Sequence, residues 1–485
     1  MTITLTPNAV DYTLRCLLRV AAPAQSYTLR AKERILSVRL FDRCYAVEED
    51  FVLHQKSAAP RGHRPQAAIN ERKSDMNFTP YVTAIIKNIE AFGLLRYDPR
   101  DVDDFLSKQR RSSQNDFLRK GFRASDVIAP ILTRKLLGIK KSVQVTTYYH
   151  LGMAFLLREQ LHIPVDTSLS AEKMAELLLQ NFYDHSSALW RFSIANYWSE
   201  AEKADSTKTV TMPMHCLARS NILLLAVWRQ YQREDLLNIS IESAAAVLRQ
   251  HNITEYDDGS AAISYYYNSQ DNTLNVNSEF LQWIAEIPAD RRPAAVEALG
   301  HRILKMLLRE QNEDGSFYYH GKEYMRQNHL APTIDNHHSS YMLNNLIHIY
   351  MSDFPTEKEK DALLQACVRG MEFSLSHLFD EQTGMAVYQI NNATRKADPV
   401  SYSEAALAFC AYLRCPEIPA ELNTRIQRLL PKVVARLTAF VNLKNGSVPS
   451  ECVFGKWNNI NSIRWGNGPV LQAILDVYAL EQGGN

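Results

Sequence analysis

Amphipathic segments recur along the last two thirds of the chain at a nearly constant interval. They begin near Thr147, Pro213, Asn275, Asp335, Ser401 and Ile463, and successive starts are 66, 62, 60, 66 and 62 residues apart. A second helical pattern follows each of the first five starts, near residues 170–187, 239–250, 291–311, 356–378 and 418–441. The repeating unit is therefore a pair of helices, and a fixed period of this kind indicates a repeat architecture.

The number of pairs predicts a closed ring in place of an open array. Five pairs are complete. The first helix of a sixth pair, at 464–480, has no second helix after it. We expect a helix from the region before residue 140 to supply that partner, because closure removes the two open ends that a linear stack must cap. The sequence thus predicts a mainly α-helical fold, an (α/α)6 toroid of helical hairpins over residues 76–485, closed by N-terminal helices.

Four glycines follow the second helices of the pairs. Gly259, Gly315, Gly384 and Gly446 lie in Asp-Gly-Ser, Thr-Gly-Met or Asn-Gly-Ser sequences. Glycine enters the left-handed conformation that terminates a helix without steric cost. We therefore predict a helix-ending turn at each position, followed by a short extended stretch.

Residues 1–75 show a different pattern. Short β-prone runs near 27–30 and 35–40 alternate with polar turns, and the Pro- and Arg-containing stretch at 59–65 is typical of a loop or linker. We predict a small appended region with short strands.

Composition excludes several classes of protein. The 54 basic and 53 acidic residues leave a net charge of +1, so nothing indicates a nucleic-acid or anionic-membrane partner. Arg15 and Arg19 interrupt the apolar stretch near the N-terminus, and no apolar run approaches the roughly 18 residues of a membrane span. Seven cysteines without a C-x-x-C pair are typical of reduced thiols. We expect a cytoplasmic protein without a membrane span.

The starts of the inner helices indicate where chemistry takes place. Inner helices of such a ring run in the same direction, so their N-termini meet on one face, where unpaired N–H groups attract anions. The residues that we predict to be catalytic are Asp335, His337, His338, Tyr266, Tyr402 and Glu404. Those that we predict to bind substrate are Tyr149, His150, Asn275, Asn277, Tyr319, Arg464 and Trp465. Aromatic faces stack on pyranose rings, and the polar side chains bind hydroxyls and carboxylates, so the set favours an acidic sugar.

Two adjacent histidines form the densest part of this set. On a helix, His337 and His338 point about 100° apart, so we expect one of them to face the cavity as a general base or hydrogen-bond donor. A metal held by these residues with His320 or His215 is the alternative. The sequence has no H-x-x-x-H spacing at this position, so we predict no metal site and no cofactor.

Several of the same residues also have a structural interpretation. Asp335, Asn336 and Ser401 are residue types that cap helices, and a single tyrosine is more often a packing residue than a catalytic one. Arg464, beside Trp465, either holds a substrate carboxylate in its planar fork or pairs with a nearby acid.

Five segments of the chain resemble a bacterial family found with capsule and exopolysaccharide synthesis functions. They are Ile263-Ser-Tyr-Tyr-Tyr, Gln311-Asn-Glu-Asp-Gly-Ser-Phe-Tyr, Ile334-Asp-Asn-His-His-Ser-Ser-Tyr, Pro399-Val-Ser-Tyr-Ser-Glu and Ile463-Arg-Trp-Gly-Asn-Gly-Pro. That family looks like the (α/α)6 proteins that include the D-glucuronyl C5-epimerases and related polysaccharide lyases. The resemblance covers roughly residues 210–480. It implies tyrosines and an acidic residue as proton carriers around C5, with the tyrosine-rich stretches and Asp335 or Glu404 as counterparts.

Three functions follow from these observations. The first is an enzyme that acts at C5 of a uronic acid in a glycan or lipid-linked oligosaccharide, by epimerisation or β-elimination, alongside other polysaccharide-synthesis proteins. The second is a glycoside hydrolase that uses Asp335 and Glu404. The third is a non-catalytic toroid that binds a glycan or a protein in a polysaccharide-synthesis complex, because a fold does not fix a function.

Overall fold

The computed structural model describes residues 26–31, 34–39, 77–102, 128–185, 189–190, 212–267, 269–390, 397–453 and 455–483, together with short pieces between 105 and 126. The chain divides into two compact units, one of residues 1–77 and 100–140 and the other of residues 78–99 and 141–485. The predicted linker at 59–65 lies outside the described residues.

The described helices are numbered in chain order. They are α1 (Thr79–Phe92), α2 (Pro130–Leu136), α3 (Val145–Gln160), α4 (Ala171–Phe182), α5 (Met214–Tyr231), α6 (Glu234–Gln250), α7 (Leu274–Glu286), α8 (Ala294–Glu310), α9 (Lys322–Asn328), α10 (Asn336–Met351), α11 (Glu357–His377), α12 (Pro399–Arg414), α13 (Ala420–Ala439) and α14 (Gly468–Glu481). Within the described ranges, no helix is long and apolar enough to cross a membrane.

The strands pair only as two-stranded antiparallel sheets within the described part of the chain. They are β1 (Ser26–Ala31), β2 (Arg34–Arg39), β3 (Tyr183–Asp184), β4 (Leu189–Trp190), β5 (Ile253–Glu255), β6 (Ala261–Ile263), β7 (Phe379–Asp380), β8 (Met385–Ala386), β9 (Glu451–Val453) and β10 (Lys456–Asn458). In the first unit, β1 and β2 form a hairpin in which Ser26 pairs with Arg39. This hairpin confirms the predicted strands of the N-terminal region.

Six inner helices form a closed ring in the second unit. Helix α3 packs on α5, α5 on α7, α7 on α10, α10 on α12, α12 on α14, and α14 returns to α3. Helix α12 is buried from Pro399 to Tyr412 without interruption, as expected for a helix with neighbours on every side. The predicted (α/α)6 toroid is therefore confirmed.

The outer layer consists of α1, α4, α6, α8, α11 and α13. The last five carry one apolar face each; in α13, for example, Leu422, Ile426, Leu429, Val433 and Leu437 are buried at helical spacing. This face packs on the inner helix that precedes it, since burial of apolar surface is the main driving force for such packing. Helix α1 is the sixth outer helix and packs on α14.

Inner helices begin close to the predicted positions, with one exception. The sixth pattern starts at Ile463, but α14 begins only at Gly468. A five-residue π-helical turn, Ile463–Asn467, precedes it, and the Ser462 side chain accepts a hydrogen bond from the Trp465 N–H at its start. The extra turn is an irregularity that often accompanies functional sites.

The glycine turns differ from the prediction in their position. Gly259, Gly315, Gly384 and Gly446 have φ angles of +78°, +89°, +69° and +65°, so all four adopt the left-handed conformation. They do not end the outer helices directly. Gly259 turns the chain between β5 and β6, and Gly384 does so between β7 and β8, because the outer helix is followed by a short strand before the turn.

The turn at Gly446 joins α1 to the start of α14. Asn88 of α1 donates a hydrogen bond from its side-chain amide to the Asn445 carbonyl at 2.6 Å. The Asn467 amide donates to the Gly446 carbonyl at 2.7 Å. A Cβ atom at Gly446 would collide with the backbone carbonyl of Ala84 in α1. Ring closure therefore depends on the absence of a side chain at this position.

We predict that Gly446→Ala lowers the free energy of unfolding by about 2–5 kcal/mol, from left-handed strain together with overpacking against α1. Gly259→Ala is the matched control, since its φ is also positive but no described atom lies within 4 Å of the added Cβ. We expect this control to lose only about 1–2 kcal/mol. Urea unfolding followed by circular dichroism measures both, and equal losses would contradict the role of Gly446 in closure.

Candidate functional site

A buried arginine lies at the centre of the ring. The Arg219 Nε donates to Glu279 Oε1 at 3.1 Å, and Arg219 Nη1 lies 3.7 Å from Glu404 Oε1. The guanidinium also lies over the Tyr341 ring, 4.2 Å from its centroid. These residues come from α5, α7, α12 and α10, so four inner helices converge on one cation. We call Arg219, Glu279, Glu404, His150 and His215 the central cluster.

Two histidines of the central cluster have tautomers fixed by their neighbours. Arg219 can only donate, so His150 Nε2, at 3.2 Å from Arg219 Nη1, accepts, and His150 Nδ1 donates to Gln472 Oε1 at 2.8 Å. His215 Nδ1 lies 2.7 Å from Glu279 Oε2 and donates to it. In neutral His215 the lone pair is therefore on Nε2. The His215 side chain keeps 20% of its surface exposed, whereas Glu279 keeps 1%.

Burial and charge set the protonation of the central cluster. Burial lowers the pKa of His215, although Glu279 opposes the shift, and burial with the Arg219 charge lowers that of His150. Burial would raise the pKa of Glu279, but His215 and Arg219 lower it. For Arg219, burial disfavours the charge, and Glu404, Tyr341 and Glu279 together raise its pKa well above the ordinary value. At neutral pH, the Arg219 cation and the Glu279 carboxylate thus lie beside the neutral imidazoles of His150 and His215.

Glu404 is the exception among these charges. Burial raises its pKa to about 7, and the Arg219 charge offsets only part of this effect. Arg219 Nη1 lies 3.7 Å from Glu404 Oε1 and lowers this pKa, whereas the negative charge of Glu279 adds to the rise. Glu404 therefore changes its charge near neutrality.

A second group, the Asp335 cluster, consists of Asp335, His337 and His338 at the start of α10. Asp335 caps the helix by accepting from the His338 N–H, as its residue type predicted. His338 Nδ1 lies 2.7 Å from Asp335 Oδ2, and His337 Nδ1 lies 3.3 Å from Asp335 Oδ1. The two imidazole centroids are 3.9 Å apart. Both rings thus turn to the same carboxylate, because it precedes the helix and lies within reach of the whole first turn.

A cleft opens on the Asp335 cluster. Its lining combines aromatic and apolar side chains with hydroxyl and amide groups, namely Leu274, Asn275, Phe317, Tyr318, Tyr319, Thr333, Asp335, His338, Ser339 and Met342. Tyr341 joins this region to the central cluster, since its ring lies 5.8 Å from that of His337, 6.0 Å from that of His338 and 6.2 Å from that of His215. The Tyr341 ring thus lies between the two clusters and contacts the histidines of both.

Most of the predicted residues take part in these clusters or line the cleft. Tyr149, His150 and Glu404 surround Arg219, and its guanidinium lies 4.9 Å from the Tyr149 ring centroid. The Trp465 ring lies 6.1 Å from that of His337. Arg464 Nε lies 3.6 Å from Asp98 Oδ2, which is the pairing with an acid that the sequence left open.

Three predicted residues lie elsewhere. Asn277 is fully buried, and its amide binds the backbone N–H and carbonyl of Ile263 at 2.8 and 3.1 Å, so it holds β6 to α7. Tyr402 packs on Phe440, just after the outer helix α13, and its hydroxyl accepts from the Ala386 N–H at 3.1 Å. Tyr266 is buried against the Tyr265 ring, with 4.6 Å between centroids. We therefore leave these three residues out of the proposed site.

Four residues of the candidate site were not among those predicted to be catalytic or to bind substrate, namely His215, Arg219, Glu279 and Tyr341, although His215 was considered as a metal ligand. Each lies within the first two turns of an inner helix, and His215 and Arg219 share one face of α5 because they are four residues apart. A charged residue in the second turn of an otherwise apolar helix is the sequence signal that points to Arg219 and Glu279.

Comparisons with known proteins find similarity only at the level of structure. No protein-family model and no curated protein matches the chain. A sugar epimerase from a ruminal bacterium superposes with a TM-score of 0.51 at 11% identity, over 70% of this chain and 90% of that one. The Lin0763 protein from Listeria innocua superposes with a TM-score of 0.51 at 8% identity, over 84% of this chain and 99% of that one. A possible GH105 family member from Salmonella enterica reaches a TM-score of 0.49 at 10% identity, over 69% and 82% of the two chains. The first two matches support the toroid fold.

The charge on Glu404 makes stability depend on pH. Its pKa is about 7 in the folded protein, and an unfolded glutamate titrates near about 4.3. Between these values the unfolded chain has released a proton that the folded protein keeps, so stability falls as the pH rises and the loss is complete above pH 7. Glu404→Gln imitates the protonated form and does not suffer this loss.

We predict that the stability advantage of Glu404→Gln over the unchanged protein grows by roughly 2 kcal/mol between pH 5 and pH 8. Urea unfolding of both proteins at both pH values measures this growth. Any effect of the substitution on the free energy of unfolding that is the same at both pH values cancels in the comparison. Glu313→Gln, a change at an exposed carboxyl group, is the control and should show no growth. A Glu404→Gln difference that is the same at both pH values would contradict the prediction.

Proposed function

We propose that the protein is a carbohydrate-active enzyme that removes the proton at C5 of a uronic acid in a glycan, leading to epimerisation or β-elimination. The observation that carries the proposal is the hydrogen bond of 2.7 Å between His215 and Glu279, beside a buried cation and a tyrosine inside the ring. A ring of the same fold occurs in the sugar epimerase from a ruminal bacterium, which makes sugar chemistry a natural class to test.

His215 is the proposed general base. Glu279 holds the Nδ1–H, so Nε2 carries the lone pair, and the lowered pKa keeps the imidazole neutral and able to accept a proton. The exposed fifth of the His215 side chain lets a substrate reach it, whereas the carboxylate behind it stays buried. This arrangement orients the base in the same way as a carboxylate–histidine pair in other enzymes.

Arg219 and Tyr341 supply the remaining chemistry. Loss of the C5 proton places negative charge on the adjacent carboxylate, and a preorganised cation close to that charge lowers the barrier. Burial raises the pKa of Tyr341 well above the ordinary value, so its hydroxyl stays protonated and can donate a proton. Epimerisation needs such a donor to return a proton to the opposite face of C5. In β-elimination the bond between C4 and its oxygen breaks as the C4–C5 double bond forms, and the same donor protonates the leaving oxygen. Tyr341 is therefore the proposed proton donor in either outcome.

The setting that we propose follows the sequence resemblance. The substrate is a uronic-acid glycan or lipid-linked oligosaccharide of the capsule or exopolysaccharide type, handled in the cytoplasm with other polysaccharide-synthesis proteins. The lining of the cleft supports a sugar as substrate, because it combines aromatic side chains, among them the half-buried Tyr319, with hydroxyl and amide groups.

Incubation with uronic-acid glycans in deuterated water tests the proposal. We predict deuterium at C5, detected by NMR, and a rate about 10²–10⁴-fold lower for His215→Ala, since this is the usual contribution of a general base. His301→Ala is a matched control: His301 Nδ1 binds the Glu359 carboxylate at 3.0 Å, but the pair lies on the outer helices α8 and α11. The control should keep the full rate.

Each other outcome has a definite meaning. An unsaturated product without C5 deuterium in the recovered substrate indicates β-elimination. If no acidic glycan gains deuterium or becomes unsaturated, C5 chemistry is wrong. Glycan binding that survives His215→Ala in a chain that transforms no substrate would then favour the non-catalytic toroid.

Glycoside hydrolysis is the second candidate, and one observation favours it. The pKa of Glu404 is raised to about 7 while that of Glu279 is lowered, and such a difference between two carboxyl groups separates an acid from a base. Both carboxylates approach Arg219. If this candidate is right, the protein releases new reducing ends from a glycan, and Glu404→Gln abolishes their release while leaving C5 without deuterium.

A further inference from the structure

We propose that Asp335, His337 and His338 bind a divalent transition-metal ion of the Zn²⁺ class, with an open coordination position that faces the cleft. The proposal concerns metal binding and does not depend on the reaction that the enzyme catalyses. It departs from the expectation of no metal, which rested on the missing H-x-x-x-H spacing.

The geometry brings three donor atoms together. One nitrogen or oxygen from each of the three residues lies within 4.8 Å of the others. Two ligands bound to one Zn²⁺ at about 2.1 Å are separated by roughly 3.4 Å in a tetrahedral site. The distance of 3.3 Å between His337 Nδ1 and Asp335 Oδ1 already has this value. His338 Nδ1, at 2.9 Å from the same Asp335 Oδ1, has to move outward by about half an ångström to reach this separation.

The donor chemistry selects the class of ion. Two imidazoles and one carboxylate suit Zn²⁺, Fe²⁺, Mn²⁺ or Ni²⁺, whereas Ca²⁺ and Mg²⁺ prefer oxygen ligands alone. Both histidines turn a ring nitrogen to the Asp335 carboxylate. A metal ion can therefore replace the protons between these groups while the three side chains keep their orientation. Three protein ligands leave at least one position for water or substrate, as in catalytic metal sites.

An independent observation points to a ligand in the same cleft. Asn275, which begins the first turn of the neighbouring α7, lines the cleft together with Asp335 and His338. Its side chain is buried, with 5% of the residue exposed, and its Oδ1 has no hydrogen-bond partner among the described residues. A buried acceptor without a partner is costly unless a ligand satisfies it. A water or sugar hydroxyl bound to the metal would donate to this oxygen.

The proposed ion also has a role in the proposed reaction, and only this role rests on that function. The open position would take a carboxylate oxygen of the acidic sugar, which leaves His215 across Tyr341 as the base. Metal binding and C5 chemistry are measured separately, so the failure of one does not count as the failure of the other.

Calorimetric titration of the full chain with ZnCl₂, after treatment with a chelator, tests the site. We expect one equivalent to bind with a dissociation constant below about 1 µM. Titration with CoCl₂ should give the visible absorption of a site with few ligands, which reports coordination without any assay of activity. Asp335→Asn retains the helix cap but removes the charge, and it should weaken Zn²⁺ binding at least about 100-fold. His338→Ala should have an effect of similar size.

The control is His320→Ala. His320 is a second imidazole in the same region, 4.5 Å from the Tyr319 ring, but it hydrogen-bonds Thr273 and is not one of the three ligands. This variant should bind Zn²⁺ like the unchanged protein. The proposal is overturned if the unchanged protein binds no stoichiometric Zn²⁺, or if folded Asp335→Asn and His338→Ala bind it as tightly as the control. Loss of binding in the control as well would equally reject the three-residue site.

Discussion

The charge of Arg219 is the constraint on which the inner ring depends. Its partners come from every inner helix: His150 from α3, Glu279 from α7, Tyr341 from α10 and Glu404 from α12, with Gln472 of α14 linked through His150. An unpaired charge at this depth would be strongly destabilising, so the ring must bring these side chains to one point. The contacts of Arg219 thus fix the rotation of each inner helix about its own axis. Apolar packing alone specifies this rotation poorly.

The same constraint determines the chemistry of the ring interior. One cation faces two carboxyl groups, and burial keeps the nearby imidazoles neutral. Glu279 accepts hydrogen bonds from both His215, at 2.7 Å, and Arg219, at 3.1 Å, and its pKa falls. Burial raises the pKa of Glu404 to about 7, and the charge of Glu279 adds to this rise while Arg219 opposes it. The hydrogen bond from His215 therefore helps to separate a lasting carboxylate from one that titrates in the physiological range.

The repeat and its closure could be predicted because they leave marks in the sequence. The outer helices carry an apolar stripe of period 3.6, and glycines recur where the chain must adopt positive φ. The start of α14 was placed too early, because Ile463–Asn467 continues the helical pattern while its backbone forms a π-helical turn. The position of the glycine turns was also displaced, since strands of only two or three residues, such as β7 and β8, have no periodicity to detect.

The site was harder to predict, for a physical reason. Inner helices are buried on every side, so a polar residue near their start can face the lumen or a neighbouring hairpin, and the sequence does not distinguish the two directions. Tyr402 and Asn277 therefore entered the prediction although they bind the backbone of the hairpin strands β8 and β6. The capping role of Asp335 could be predicted because its residue type at a helix start favours a hydrogen bond to a first-turn N–H.

Tyr341 makes the two clusters a single chemical unit. One face of its ring receives the Arg219 cation, and its edges meet the imidazoles of His215, His337 and His338. In the central cluster, Arg219 and Glu279 already pair with each other. In the Asp335 cluster, by contrast, the Asp335 carboxylate and the His338 imidazole line a cleft together with Asn275, whose Oδ1 has no hydrogen-bond partner among the described residues. We therefore propose that a ligand binds from the Asp335 side and presents its reacting atom across Tyr341 to His215, so that binding and proton transfer are tasks of different inner helices.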